Sequence, residues 1–205
     1  MDNFEESWGW FAGSVYELAC KKGWWPEGNS RSFLECMGLV ISELGEAVEA
    51  FRSPRCSAKI LGHSHAAEEL ADVIIRLADL SKHFDLDISE SNWFIENEEI
   101  FDACSVGNDE DNFVYCIDVL IQAHHTILLK GNPVERIAIV AHHLGEAITS
   151  YCTELHDGDT IDAMAQAVLE ICALAQEQNI DLGEAIVAKH TYNQSRTYRH
   201  GAKLY

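Results

Sequence analysis

Proline is scarce in this chain, three in 205 residues, so helix interiors run largely free of the residue that breaks them most strongly. Alternating apolar and polar runs are nearly absent too, and most apolar positions fall at helical spacing. Basic residues are few, 14 Lys and Arg against 34 Asp and Glu, for a formal net charge of -20. That balance argues against nucleic acid, whose phosphates demand a basic face, and against an anionic membrane surface. The seven cysteines include no Cys-x-x-Cys pair and read as free thiols of a reducing compartment. No apolar run reaches the roughly 18 residues of a membrane span, and no leader-like stretch opens the chain. The expectation is a soluble, cytoplasmic, all-α protein with no membrane or nucleic-acid partner.

What the chain has in abundance is acid, unevenly placed. GLVISELGEAVEAFR (38–52) reads as an amphipathic helix. Around Leu44, residues Val40, Ile41, Ala47, Val48 and Phe51 fall on one face, flanked by Glu43 and Glu46. AEELADVIIRLADL (67–80) repeats the arrangement: Glu69, Asp72, Arg76 and Asp79 form a polar line, with Leu70, Ile74 and Leu77 elsewhere. Acids three apart are common in so acidic a chain; Glu46/Glu49 and Glu96/Glu99 share the spacing. Glu43/Glu46 and Glu69/Asp72 differ because their helices are successive and strongly apolar. Packed antiparallel, these helices bring both pairs to one spot. Four like charges there repel and raise one another's pKa. A hard divalent cation such as Mg²⁺ takes oxygen ligands and relieves the repulsion. A di-iron centre in a bundle needs Glu-x-x-His on two helices, and no Glu here is followed by His three residues on. His63-x-His65, His124-His125 and His142-His143 lack cysteine partners at metal spacing and read as surface or packing histidines.

The second half resembles the first. VAHHLGEAITSY (140–151) aligns with VISELGEAVEAF (40–51), and AMAQAVLEICALAQEQNIDLGE (163–184) with ELADVIIRLADLSKHFDLDISE (69–90). Each copy closes on an Asp-x-x-Glu start of a further helix, Asp87/Glu90 and Asp181/Glu184. The turns KKGWWPEG and LKGNP precede the two copies of the acidic helix. An internal duplication is expected, with a first repeat at 1–102, an acidic, Gly-containing linker at 103–112 and a second repeat at 113–205. In the second copy His143 replaces Glu43, Glu146 matches Glu46, and Ala163 and Gln166 replace Glu69 and Asp72. The apolar face survives the loss of three of the four acids, which points to function rather than folding in the first copy.

The closing stretch KHTYNQSRTYRHGAKLY (189–205) gathers basic residues at the end of an acidic chain. Lys189, Asn193, Arg196 and His200 share a face if the last helix extends that far. Such a stripe suits phosphate oxygens, or equally a solvated basic helix end. Trp24 and Trp25, after Gly23, either stack on a base or plug the core beside Pro26.

Together, LVISELGEAVEAFR, EELADVIIRLADL, the Gly-Trp-Trp at 23–25 and the tail's Lys-x-x-x-Asn-x-x-Arg resemble the Glu-x-x-Glu…Glu-x-x-Asp signature of MazG-like all-α nucleotide pyrophosphohydrolases. That group includes the dimeric dUTPases, and the likeness is to its short, phage-type members over 23–88 and 180–203. The resemblance implies a helical bundle built from paired copies; with the duplication read above, the expectation is a tandem-duplicated, four-helix-bundle-like fold of the MazG type whose second copy is degenerate. It implies Mg²⁺-dependent hydrolysis of an NTP or dNTP to the monophosphate and pyrophosphate, with Mn²⁺ as a substitute metal. Glu43, Glu46, Glu69 and Asp72 are the implied cation ligands, with Glu43 or Glu46 orienting or deprotonating water. Lys189, Asn193 and Arg196 are implied near the phosphates or sugar, and Arg76 joins them as a candidate substrate ligand. The chain departs from the family pattern at Thr197, where the tail usually reads Arg-Pro, and in the acid-poor copy between acid motif and tail. Two assemblies stay open: an intramolecular pseudo-dimer with one site made from both halves, or a homodimer in which acid-bearing copies meet. The rival from another class is a catalytically degenerate helical bundle that binds nucleotide or a protein partner without turnover.

Overall fold

Side-chain caps open the helices where the sequence supplies them. Ser32 accepts the Glu35 N–H to start α2 (Phe33–Arg52), and Ser64 accepts that of Ala67 to start α3 (His65–His83). Asn132 and Glu135 close a capping box on α6 (Pro133–Cys152), with Pro133 in its first turn. Asp181 caps α8 (Leu182–Ser195) through the Glu184 N–H. The remaining helices are α1 (Phe4–Lys21), α4 (Asn92–Glu96), α5 (Asp109–Ala123) and α7 (Asp157–Glu177). The structure is a computed structural model and describes residues 4–25, 31–101, 108–123, 132–153 and 157–199. The described residues are all-α, with no strand among them, and no helix is long and apolar enough to cross a membrane.

Helices α2 and α3 run antiparallel. Phe33 at the start of α2 meets Phe84 just past α3, ring centroids 5.5 Å apart, while a backbone bridge joins Cys56 and Ser64 at the other end. Phe33 also stacks on Tyr151 near the end of α6, at 4.0 Å, so α2 and α6 are antiparallel too. Helix α1 lies on α3 and on α5, where Phe11 stacks on Phe113 at 4.1 Å. Helix α8 crosses both α3 and α5. The pairings of the second half repeat those of the first: α6 on α7 as α2 on α3, and α5 on α7 as α1 on α3. Both halves feed one hydrophobic cluster, including Trp8, Met37, Leu70, Ile74, Val168 and Cys172. A helix pair with one apolar stripe cannot bury itself, so each half covers the other.

Three expectations need correction. Ile41 is not on the buried face of α2 but 43% exposed. The face turned inward is rotated toward the Glu43 edge, burying Cys36, Glu43 and Ala50, because α3 packs on that side. The helix expected after Asp87 breaks early: Asp87 caps only a 3-10 turn, Ile88–Glu90, and Ser91 restarts the chain as the short α4. The last residues of the expected linker, 109–112, already belong to α5, whose first turn is acidic and whose Glu110 and Asp111 N–H groups are accepted by the Asn108 side chain. Residues 103–107 of that linker lie outside the described residues.

One turn ties the two ends of the chain together. Gly23 holds φ +80, and the Tyr198 ring fills the space a Cβ there would need. Arg199 donates its backbone N–H to the Lys22 carbonyl and its Nε to the Gly23 carbonyl, both at 3.0 Å. Lys22 Nζ in turn reaches the carbonyls of Gln194 and Arg196. Replacing Gly23 by Ala adds left-handed strain and a clash, an expected loss of about 1–3 kcal/mol. Urea unfolding reads it, and Tyr198→Ala in the Gly23→Ala background restores the clash component. An unchanged midpoint for Gly23→Ala contradicts this packing.

Candidate functional site

A cavity of about 210 Å³ is walled by α1, α2, α3 and α8. Its acidic side follows from the antiparallel pairing of α2 and α3. Glu43 comes from the buried edge of α2, and Glu69 and Asp72 lie one turn apart on α3. One carboxylate oxygen from each lies within 4.8 Å of the others. Glu43 and Asp72 line the cavity, with Glu69 buried behind them; Glu46 lines it too, but it is exposed and stands outside this trio.

Glu69 is the telling group. It is 1% exposed, and neither carboxylate oxygen has a hydrogen-bond partner. His65 Nδ1 stands 3.2 Å from Oε1 but outside hydrogen-bond geometry. Burial lifts the Glu69 pKa to about 7; Asp72, Glu68 and Glu46 push the same way, and Lys59 opposes them. Burial raises Asp72 as well, against the opposing charge of Lys189. A buried carboxylate without a donor is costly, and a cation among three converging carboxylates removes that cost. The donors are all oxygen, which suits a hard ion such as Mg²⁺ with water or phosphate in its remaining positions.

Lys189 is not placed as a phosphate ligand. It is fully buried, its ammonium donating to Glu68 at 3.0 Å and also to Asp72. Because α8 packs directly on α3, this position points into the helix interface rather than the cavity. Arg76 lines the cavity but is tied to Glu43, with Nε and Nη2 each 2.6 Å from Oε1. Asn193 and Arg196 line the cavity as expected, and Asn193 Oδ1 is buried without a partner. The helix ends at Ser195, with Arg196 as its C-cap, so the shared face stops there; His200 lies outside the described residues. The two tryptophans are placed differently. Trp25 stacks on His83 at 3.6 Å and donates Nε1 to Asp79 at 2.8 Å, a plug. Trp24 lines the cavity, with the Arg31 guanidinium 5.2 Å from its ring centroid.

Several site residues escaped the sequence pattern. Glu68 is buried among Lys189, Lys59 and the Ser57 hydroxyl, which donates to it at 2.6 Å. Burial alone raises its pKa, but these partners outweigh burial and hold it at about 2. The one clue in the sequence was a basic 52–59 connection carrying Arg52, Arg55 and Lys59 ahead of the acidic helix. His190 also lines the cavity, its Nε2 3.0 Å from Ser14 Oγ. Lys22, Arg31, Lys59, Arg76 and Arg196 thus face the same space as the carboxylates, in a chain of net charge -20. The arrangement can hold a cation on one side and an anion across it.

The raised Glu69 pKa has a definite sign in stability. The unfolded chain releases this proton near 4.5 and the metal-free fold near 7, so the fold binds more protons between them. Stability therefore falls as pH rises through that window and levels off above it. In chelator-treated protein, Glu69→Gln is expected to remove a loss on the order of 2 kcal/mol between pH 4.5 and 7, and Mg²⁺ at neutral pH to stabilise wild type more than the variant. Thermal midpoints against pH check this; parallel profiles for the two proteins contradict it. No protein-family model, curated protein or solved structure matches the chain.

Proposed function

We propose that the protein is a Mg²⁺-dependent nucleoside triphosphate pyrophosphohydrolase of the MazG-like kind, with one site assembled from both halves of a duplicated chain. The observation that carries this reading is the buried Glu69, which accepts no hydrogen bond, beside Glu43 and Asp72, two carboxylates of a cavity that five cationic side chains also line. Asn193 and Arg196 of the second half share that cavity with Glu43 and Asp72 of the first. That supports the intramolecular pseudo-dimer over two acid-bearing copies meeting between chains.

Glu43, Glu69 and Asp72 would hold a divalent cation, Mg²⁺ or Mn²⁺ as its substitute, which would supply charge neutralisation and lower the pKa of water. The attacking water forms a new bond to the α-phosphorus as the bond to the bridging oxygen breaks, giving monophosphate and pyrophosphate. Glu43 is engaged by Arg76, so of the two candidate bases Glu46, exposed on the cavity wall, is better placed to take the water's proton. Arg196 and Lys59 oppose the charge that develops on the leaving pyrophosphate. Trp24 offers an aromatic face to the base. Lys189 is a positioning residue that keeps Asp72 and Glu68 compensated and docks α8 on α3.

One observation favours the alternative, nucleotide binding without turnover: the Lys189 ammonium already occupies Asp72. A panel of NTPs and dNTPs, with and without Mg²⁺ and with pyrophosphate separated from phosphate, decides between them. The expected result is monophosphate and pyrophosphate from a subset of the panel, lost with chelator. Glu69→Gln is expected to abolish turnover, and Glu46→Gln to lower kcat on the order of 100-fold with KM little changed. Nucleotide binding with no turnover on any substrate establishes the binding reading instead, and a fully active Glu69→Gln variant overturns the metal assignment.

A further inference from the structure

The counterpart of the acidic site in the second half is a cleft of about 770 Å³ between α6 and α7. Its α7 side has lost the carboxylates aligned with Glu69 and Asp72, which are Ala163 and Gln166 here. Its α6 side has changed chemistry rather than lost it. His143 stands at the position aligned with Glu43, Glu146 at that of Glu46, and His142 beside them.

These three side chains converge. His143 Nδ1 lies 2.9 Å from Glu146 Oε2, and His142 Nε2 lies 3.5 Å from Glu146 Oε1. One ligand atom from each of the three falls within 4.8 Å of the others. Four-coordinate zinc, with ligands about 2.1 Å from the ion, requires ligand atoms roughly 3.4 Å apart. The two histidine–glutamate separations, each to a different carboxylate oxygen, lie on either side of that value, and a rotation of the exposed His142 ring would bring all three donors onto one ion. The spacings i, i+3 and i, i+4 hold the three on one helical face without help from a second element.

We propose that His142, His143 and Glu146 form a second metal site, separate from the carboxylate trio, that takes a borderline first-row divalent cation of the zinc class. Two imidazoles and one carboxylate select such an ion over Mg²⁺, which prefers oxygen. Three protein ligands leave a fourth position open to water or to a donor entering the cleft, the pattern of an open rather than a closed zinc site. The site stands whether or not the chain hydrolyses nucleotides, because none of its ligands belongs to the carboxylate trio.

Calorimetric titration of the metal-free full chain with ZnCl₂, in saturating Mg²⁺, tests it. Wild type is expected to bind one zinc equivalent that the His142→Ala/His143→Ala variant loses and the Glu69→Gln variant keeps. Co²⁺ in place of zinc is expected to give the visible absorption of nitrogen-ligated, four-coordinate cobalt, again absent from the histidine variant. Glu146→Gln, which leaves both imidazoles and a folded α6, is expected to weaken zinc at least tenfold. Circular dichroism confirms that the variants are folded. Equal zinc stoichiometry and affinity in wild type and the histidine variant overturns the proposal, as does zinc binding lost in Glu69→Gln or absent at millimolar metal.

Discussion

The buried ammonium of Lys189, shared by Glu68 and Asp72, is the contact on which the site rests. An ammonium taken out of water is tolerated only where carboxylates compensate it, and removing one partner of such a group costs about 3–5 kcal/mol. Here the compensation joins α8 of the second half to α3 of the first, so the same ion pair docks the halves and sets the charge of the cavity wall. Lys59 and Ser57 complete the shell of Glu68 from the connection between α2 and α3. Glu69, one residue along, receives none of these donors. The helix interface thus satisfies one acid of an adjacent pair fully and leaves the other bare toward Glu43 and Asp72.

The two halves reach different electrostatic solutions on the same helical frame. In the first, Arg76 reaches across from α3 to Glu43 on α2 and the carboxylate trio remains short of positive charge. In the second, the residue aligned with Arg76 is Glu170, and Arg136 of α6, itself 4% exposed, bonds Glu170 at 2.8 Å and Glu177 at 2.6 Å. There a single buried guanidinium ties two carboxylates of α7 to α6.

The helices and their buried stripes were legible because 3.6-residue periodicity is local, and so were the acids, because a one-turn spacing on adjacent antiparallel helices fixes their meeting. Of the four acids expected to meet, Glu43, Glu69 and Asp72 do, while Glu46 stays outside the trio. Lys189 was found for its charge but not for its burial, since whether a lysine faces solvent or a helix interface depends on which helix crosses above it. Ile41 failed for the same reason: its distance from Leu44 on the wheel is right, but α3 sits on the other edge. Lys59, His190 and Glu68 gave no periodic signal at all. Their roles come from a connection folding back and from α8 crossing α3, both long-range events.

Anomalous diffraction from crystals soaked in Mn²⁺ tests the central claim most directly. The account predicts an anomalous peak bounded by the carboxylates of Glu43, Glu69 and Asp72. A map with no peak there, and the Lys189–Asp72 pair undisturbed, contradicts it.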